Sequence, residues 1–298
     1  MQAGQAILFI QDGNEIIKKI NMKKYINLLV IALFALGSCE PILDRGGIGD
    51  VIDSADQLEA TVTPVMDGTK TTNKVIVNCT SPVVCQWSNG VKTYSTNNTE
   101  LLLFIPGSQT VSLKAMTNDG KVLEKNFTVN VDEMKFPVPP EYGYFCGTGE
   151  KTWTWAETKC FGNGHAYAWD PVNTYPEWWI LNPSDVTSQC SGKGLSNEGA
   201  GATMTFTLVG MKMTLKDASG KVISSGNFDF DMAPDGHNWS IGKLSLKNTN
   251  ILFGYDLNGG LVPWTQYSIM EINDNVLRLG AKGADGTYWF WVFIPAEG

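Results

Sequence analysis

Large aromatic rings in loop-like sequence are the feature of this chain with the clearest chemical use. A flat indole packs well on the C–H face of a sugar ring, and neighbouring polar side chains bind the hydroxyls. We therefore take as candidate carbohydrate-binding residues the tryptophans in Pro- or Gly-interrupted segments and two adjoining acids. They are Trp169, Asp170, Glu177, Trp178, Trp179, Trp239 and Trp264. The alternative for each ring is a hydrophobic lid over a sheet.

Four other tryptophans have the spacing of a buried strand face. Trp153 and Trp155 are two residues apart, as are Trp289 and Trp291. Because residues i and i+2 of a strand share one face, each pair is predicted to lie in the core or at an interface. Trp87, alone in the first half of the chain, is predicted to fill the space between two sheets.

The sequence offers little for catalysis. A retaining glycosidase needs two carboxylates about 5 Å apart, often supplied by one strand. The nearest pattern, Glu271-Ile-Asn-Asp274, lacks a second Glu and lies at a predicted turn. Nucleophile-elbow, phosphate-loop and zinc-protease motifs are absent from the sequence. We therefore expect no enzymatic activity and no cofactor, with a glycoside hydrolase as the least favoured alternative.

The start of the chain reads as an export signal. Lys23 and Lys24 precede the apolar run INLLVIALFALG, which is too short to span a bilayer. The next residues, Leu36-Gly37-Ser38-Cys39, resemble the lipobox of bacterial lipoproteins. The resemblance implies that Cys39 becomes the lipidated N-terminus and that the protein is anchored in the outer membrane, exposed at the cell surface. Residues 1–21 form an upstream extension if Met22 is the true start.

Five cysteines follow Cys39, in a compartment that permits disulfides. Cys79 and Cys85 flank a short loop and are a candidate disulfide. Since five is odd, at least one thiol stays unpaired, and the spacing leaves open whether Cys146, Cys160 and Cys190 supply a second pair or are ordinary buried thiols. Neither histidine has a partner at ligand spacing, so no metal site is predicted.

The charge of the chain restricts its partners. Without residues 1–39, 18 basic and 28 acidic side chains are left, a formal net charge of −10. Such a surface repels phosphate backbones and anionic lipid. Nucleic acid is therefore excluded as a partner, and membrane attachment must come from the lipid anchor.

Strand and turn patterns predict an all-β protein with two sandwiches. Residues 40–57 read as a flexible tether, 58–131 as an immunoglobulin-like sandwich, 132–143 as a Pro-rich linker and 144–298 as a larger antiparallel, jelly-roll-like sandwich. No segment of the second sandwich has an apolar helical stripe longer than two turns. All of its elements are therefore predicted to be strands.

Residues 58–131 resemble the polycystic-kidney-disease (PKD) domain. The resemblance rests on Gln86-Trp87-Ser88-Asn89-Gly90, on Ile105-Pro106-Gly107 and on the run from Val111 to Gly120. The usual Gly-Asp-Gly after the Trp strand is reduced here to Asn-Gly. PKD domains are mostly spacers or docking modules, so the resemblance implies such a role.

Residues 145–298 resemble domains of surface lipoproteins from polysaccharide-utilisation (starch-utilisation-like) systems. The resemblance is carried by Lys151-Thr-Trp-Thr-Trp155, Phe161-Gly-Asn-Gly164, Pro176-Glu-Trp-Trp179, Tyr267-Ser-Ile-Met-Glu-Ile272 and the closing Tyr288-Trp-Phe-Trp-Val-Phe-Ile-Pro295. It implies non-catalytic binding of a polysaccharide or oligosaccharide at the cell surface, beside an outer-membrane glycan importer. A scaffold lipoprotein that binds a partner protein through its Trp residues is the alternative.

Overall fold

The computed structural model of this protein describes residues 52–164, 178–237 and 239–297. The predicted signal peptide, Cys39 and most of the predicted tether lie outside the described residues. Strands dominate the described part, joined by two short α-helices, so the predicted all-β class is confirmed. None of the helices in these ranges has the length and apolarity that crossing a bilayer requires.

The first half of the described chain forms two antiparallel sheets. Its strands are β1 (Ala60–Asp67), β2 (Lys70–Cys79), β3 (Val84–Ser88), β4 (Thr93–Tyr94), β5 (Asn98–Leu102), β6 (Gly107–Met116) and β7 (Val122–Val131). The sheet orders are β1-β2-β5 and β4-β3-β6-β7. Alternate residues of both sheets face a shared core around Trp87, which is fully buried as its sequence context predicted.

Cys79 and Cys85 lie in opposite sheets of this sandwich, on β2 and β3, and both are buried thiols in the structure. Burial raises the pKa of the Cys85 thiol to about 12, and a side-chain hydrogen bond with Cys79 adds to the shift. The two sulfur atoms are therefore neighbours across the core.

We predict that the protein, under oxidising conditions, carries a Cys79–Cys85 disulfide that stabilises it by about 2 kcal/mol, since the closed loop is short. Non-reducing peptide mapping should find the cross-linked peptide, and a reductant should lower the melting temperature. The Cys79→Ala/Cys85→Ala double variant should show no response to the reductant. Five reactive thiols in the unreduced, denatured mature protein would contradict the prediction.

Contacts join this sandwich to the second half of the chain. Asn73 accepts a hydrogen bond from the Phe136 backbone N–H and donates one to its carbonyl, both at 2.9 Å. Helix α1 (Pro140–Cys146) follows, and the Tyr142 ring packs edge-on against Phe104 of the first sandwich at 4.6 Å. The same ring lies 4.8 Å from the Phe230 ring of the second half, so the segment is held to both halves.

The second half is built on a closed antiparallel sheet of eight strands. Its strands are β8 (Glu150–Trp155), β11 (Thr203–Thr207), β12 (Lys212–Lys216), β13 (Val222–Asp231), β14 (Gly242–Lys247), β17 (Gln266–Ile272), β18 (Leu277–Lys282) and β19 (Tyr288–Pro295). They pair in this order, and β8 also pairs with β19 through Trp155 and Phe293, which closes the ring. We call this ring the closed sheet.

Several short elements of the second half lie outside the eight strands of the closed sheet. They are β9 (Phe161–Gly164), which pairs with β19, β10 (Trp179–Leu181), helix α2 (Pro183–Lys193) and the hairpin strands β15 (Tyr255–Asp256) and β16 (Val262–Pro263). Helix α1 packs Phe145 against Phe206 and Phe228 near one end of the ring. Loops 194–202, 248–265 and 283–287 lie at the other end, which we call the loop end.

The closed sheet differs in detail from the predicted jelly-roll-like sandwich. Its strands follow one another as a meander, with no crossover between sheets, and the last strand returns to the first. The period-two burial is as predicted, and Trp153, Trp155, Trp289 and Trp291 are all in the core. Alternation reports which face of a strand is buried, but not which strand lies beside it.

Helix α2 contradicts the expectation that this half contains only strands. Its eleven residues bury only Val186 and Cys190, one turn apart, so the apolar stripe is too short to stand out. Its caps do carry sequence signals. Asn182 and Asp185 form a capping box, Pro183 begins the helix and Gly194 ends it in the left-handed conformation.

Candidate functional site

The predicted site residues are only partly within the described chain. Trp169, Asp170 and Glu177 lie outside the described residues. Trp178 and Trp179 are described and point to different environments. The Trp178 side chain is 55% exposed, whereas Trp179 packs edge-on against Trp289 of the core at 6.2 Å. Trp179 therefore contributes to the packing of the core, whereas the Trp178 side chain is largely exposed.

Trp264 lies between the core and the surface at the loop end. Its ring meets Trp291 edge-on at 5.3 Å, and the side chain is half-buried. Its backbone N–H donates to the Gly254 carbonyl at 3.1 Å, which ties it to the 248–265 loop. One side of the indole therefore contributes to the core, and the rest is accessible.

Trp239 lies on the outer face of the closed sheet. It packs on a small apolar cluster formed by Met270, Phe290 and Val292. The exposed His237 ring stacks on the indole at 4.6 Å with an interplanar angle of 10°, and Tyr288 meets it edge-on at 5.7 Å. His237 therefore covers one face of the Trp239 indole, and the two stacked rings together form an aromatic surface at the protein exterior.

A shallow cavity of about 280 Å³ lies on the outer face of β14, β17 and β18. We call it the outer groove. Trp264 lines it, and the Trp239 indole lies beside Gly280, one of its lining residues. The polar side chains of the outer groove are Asp235, Lys243, Gln266, Ser268 and Lys282. The fold thus places one of the predicted tryptophans, Trp264, in a groove rich in hydrogen-bonding groups and a second, Trp239, next to it.

Asp235 connects the loop that carries Trp239 to the sheet. Its carboxylate accepts a hydrogen bond from the Ser268 hydroxyl of β17, and its other oxygen accepts the His237 backbone N–H at 3.3 Å. Lys282 of β18 lies over the Tyr288 ring at 5.8 Å. The groove is therefore positioned largely by strands, which hold side chains more rigidly than loops do.

The polar residues of the outer groove were missed at the sequence level. The period-two pattern of β17 does place Gln266 and Ser268 on the face opposite the buried Tyr267 and Ile269. What the pattern lacks is the pairing of β17 with β14 and β18, which brings Lys243 and Lys282 beside them. The sequence therefore indicated which side chains of β17 face outward, but not which strands lie beside β17.

A second cavity, of about 590 Å³, opens at the loop end and is lined by Glu198, which the sequence did not single out. The Glu198 carboxylate is buried. It accepts the Phe253 backbone N–H at 2.7 Å and the Tyr255 hydroxyl at 3.3 Å. Burial raises its pKa to about 7, against the lowering effect of these hydrogen bonds. We call this space the Glu198 cavity.

The acidic run considered for catalysis has a structural role. Glu271 forms an ion pair with Arg278 of β18 at 2.7 Å and accepts a hydrogen bond from Asn273 at 3.0 Å.

Within the described ranges, no group of three or more His, Cys, Asp or Glu side chains is arranged to hold a metal ion.

Comparison with known proteins gives a similarity at the level of structure. No protein-family model matches the chain, so the PKD resemblance gains no support from that source, and no curated protein matches it either. Among solved structures, the chain is similar to SGBP-B of the Bacteroides ovatus mixed-linkage glucan utilization locus, in complex with a mixed-linkage heptasaccharide. The sequence identity is 15% and the TM-score 0.19, over 77% of this chain and 64% of that one. The match therefore spans less than two-thirds of that protein.

Proposed function

We propose that this protein is a non-catalytic carbohydrate-binding lipoprotein, anchored in the outer membrane through Cys39 and exposed at the cell surface. Its ligand is a polysaccharide or oligosaccharide, held for delivery to an outer-membrane importer. The observation that carries the proposal is the outer groove, in which Trp264 meets a set of polar side chains and beside which Trp239 lies.

The composition of the outer groove suits a sugar chain. Indole rings offer flat apolar faces to pyranose C–H groups. Carboxylate, amide, hydroxyl and ammonium groups at Asp235, Gln266, Ser268 and Lys282 supply both acceptors and donors for hydroxyls. The groove is shallow and open, which permits binding along the length of a chain as well as at its end.

The anchor is supported by the sequence of the signal segment. Lys23 and Lys24, the apolar run and Leu36-Gly37-Ser38-Cys39 occur in the order that export and lipidation require. An acidic protein does not adhere to anionic lipid by charge, so the lipid on Cys39 is what holds it at the membrane.

The test is affinity electrophoresis and calorimetry of the detergent-solubilised lipoprotein over a panel of polysaccharides. Trp239→Ala should weaken binding at least tenfold, because losing the buried face of an indole removes about 1.5–2.5 kcal/mol. Gln266→Ala should weaken it several-fold without disturbing any aromatic contact.

Trp178→Ala is the matched control, since it removes an exposed indole away from the outer groove. It should leave affinity unchanged. A loss with Trp178→Ala and none with Trp239→Ala would place the site in the Trp169–Trp179 segment instead. A folded protein that binds no glycan, or that releases reducing sugar, would reject the proposal.

A further inference from the structure

The Glu198 cavity is separate from the outer groove and differs from it in chemistry. Hydroxyl side chains line one part of it, where Ser224 and Thr249 hydrogen-bond to each other at 2.8 Å. Leu215, Ile223 and Pro263 line another. A volume of about 590 Å³ is in the range of small-molecule sites, and the combination of apolar lining with a few polar groups is typical of them.

Among the residues that the structure describes, no cationic side chain interacts with the Glu198 carboxylate. In the described part of the chain, the titratable side chains that interact with Glu198 are Cys190, Tyr255 and Tyr267, none of which can carry positive charge. Lys, Arg and His are absent from the described residues that line the cavity. Because leaving water costs an isolated charge several kcal/mol, a buried carboxyl without a cation takes up a proton, as the raised pKa of Glu198 indicates, and a bound cation favours the ionised form instead.

We infer that the Glu198 cavity binds a small hydroxylated amine, namely an amino sugar in its cationic form, with its ammonium group paired to the Glu198 carboxylate. The sugar hydroxyls meet Ser224, Thr249 and Asn248, and the apolar side chains pack on the ring C–H groups. The ammonium group of the ligand supplies the positive charge that the described lining residues lack. This inference does not depend on the outer groove.

The local structure makes Glu198 rigid enough to recognise such a ligand. Its backbone carbonyl accepts the indole N–H of Trp155 at 2.7 Å, and its carboxylate is held by the Phe253 N–H. These contacts join the 194–202 loop to the 248–265 loop and to β8. A bound ammonium group would therefore meet a preorganised acceptor instead of a mobile side chain.

The test compares three disaccharide probes by calorimetry at pH 6.5 on the full lipoprotein: fully deacetylated chitobiose, N,N′-diacetylchitobiose and cellobiose. The wild-type protein should bind the diamine at least tenfold more tightly than either neutral probe. Its affinity for the diamine should rise from pH 5 to pH 6.5, because the carboxylate must be ionised for the ammonium group to pair with it.

Glu198→Gln should abolish both the preference and the pH dependence. The amide can still accept the Phe253 N–H while donating to the Tyr255 oxygen, so the fold is retained. Ser196→Phe is a second variant that blocks the exposed rim of the cavity and leaves Glu198 intact; it should also lose diamine binding. Equal affinity for all three probes, or a diamine preference that survives both variants, would overturn the inference.

Trp239→Ala separates this inference from the proposed function. It should leave diamine binding unchanged even where it abolishes polysaccharide binding. Loss of diamine binding in Trp239→Ala, with both Glu198 cavity variants behaving as wild type, would show that the amine binds in the outer groove and would reject a separate site.

Discussion

Replacing Trp291 with alanine is expected to lower the free energy of unfolding by about 3–5 kcal/mol. Trp291 is fully buried on the inner face of β19, with the rings of Phe161, Trp264 and Tyr267 within 5.5 Å of its own. Its indole N–H donates to the Phe253 carbonyl at 3.3 Å. Truncation would leave a large cavity and remove one of the two donors to the Phe253 carbonyl, which also accepts the Tyr255 backbone N–H at 3.0 Å.

Urea unfolding followed by near-ultraviolet circular dichroism would measure this loss. Trp178→Ala is the control because its side chain is 55% exposed, and it should change stability by less than about 0.5 kcal/mol. Trp291→Phe should give an intermediate loss, since it keeps a ring but not the N–H. Similar values for Trp291→Ala and Trp178→Ala would show that the core is not organised around Trp291.

The second large effect is on the pH dependence of stability. The pKa of Glu198 is about 7 in the folded protein, against 4.5 for an unperturbed carboxyl. Between these two values the folded state holds a proton that the unfolded state has lost. Stability from this group is therefore fully present below pH 4.5 and declines as pH rises to 7, by about 3 kcal/mol.

Glu198→Gln should remove this decline, because the amide does not titrate. Hydrogen bonds lower the pKa values of three exposed carboxyl groups, those of Asp119, Asp217 and Asp285. These groups change the free energy of unfolding only below about pH 4, where stability falls as the pH falls. Denaturant melts of wild type and Glu198→Gln from pH 4.5 to 7 isolate the Glu198 contribution. Parallel stability curves for the two proteins would contradict it.

Much of the fold follows from the sequence because burial alternates along each strand. Met204 and Phe206 on β11, and Met213 and Leu215 on β12, alternate with partly or fully exposed residues as the pattern indicates. Trp153 and Trp289 are core residues for the same reason. These predictions need only the period of a single strand.

Features that depend on several strands could not be predicted in this way. The outer groove requires β14, β17 and β18 to be adjacent, and Glu198 becomes buried only when two loops meet over the end of the ring. Trp178 and Trp179 are consecutive in sequence and have similar flanks, yet one is exposed and the other packs on the core. Local sequence does not specify which of two adjacent rings the core will accept.

The pairing of β8 with β19 affects the order in which the protein folds. Trp155 and Phe293 are neighbours in space, although most of the second half of the chain separates them in sequence. Joining such distant segments has a high entropic cost, so the ring must close late, after its intermediate hairpins have formed. A chain in which β19 has not yet been synthesised lacks the strand that completes the ring. Until β19 arrives, β8 and β18 each have an unpaired edge, which makes this interval the one in which the protein most needs protection from aggregation.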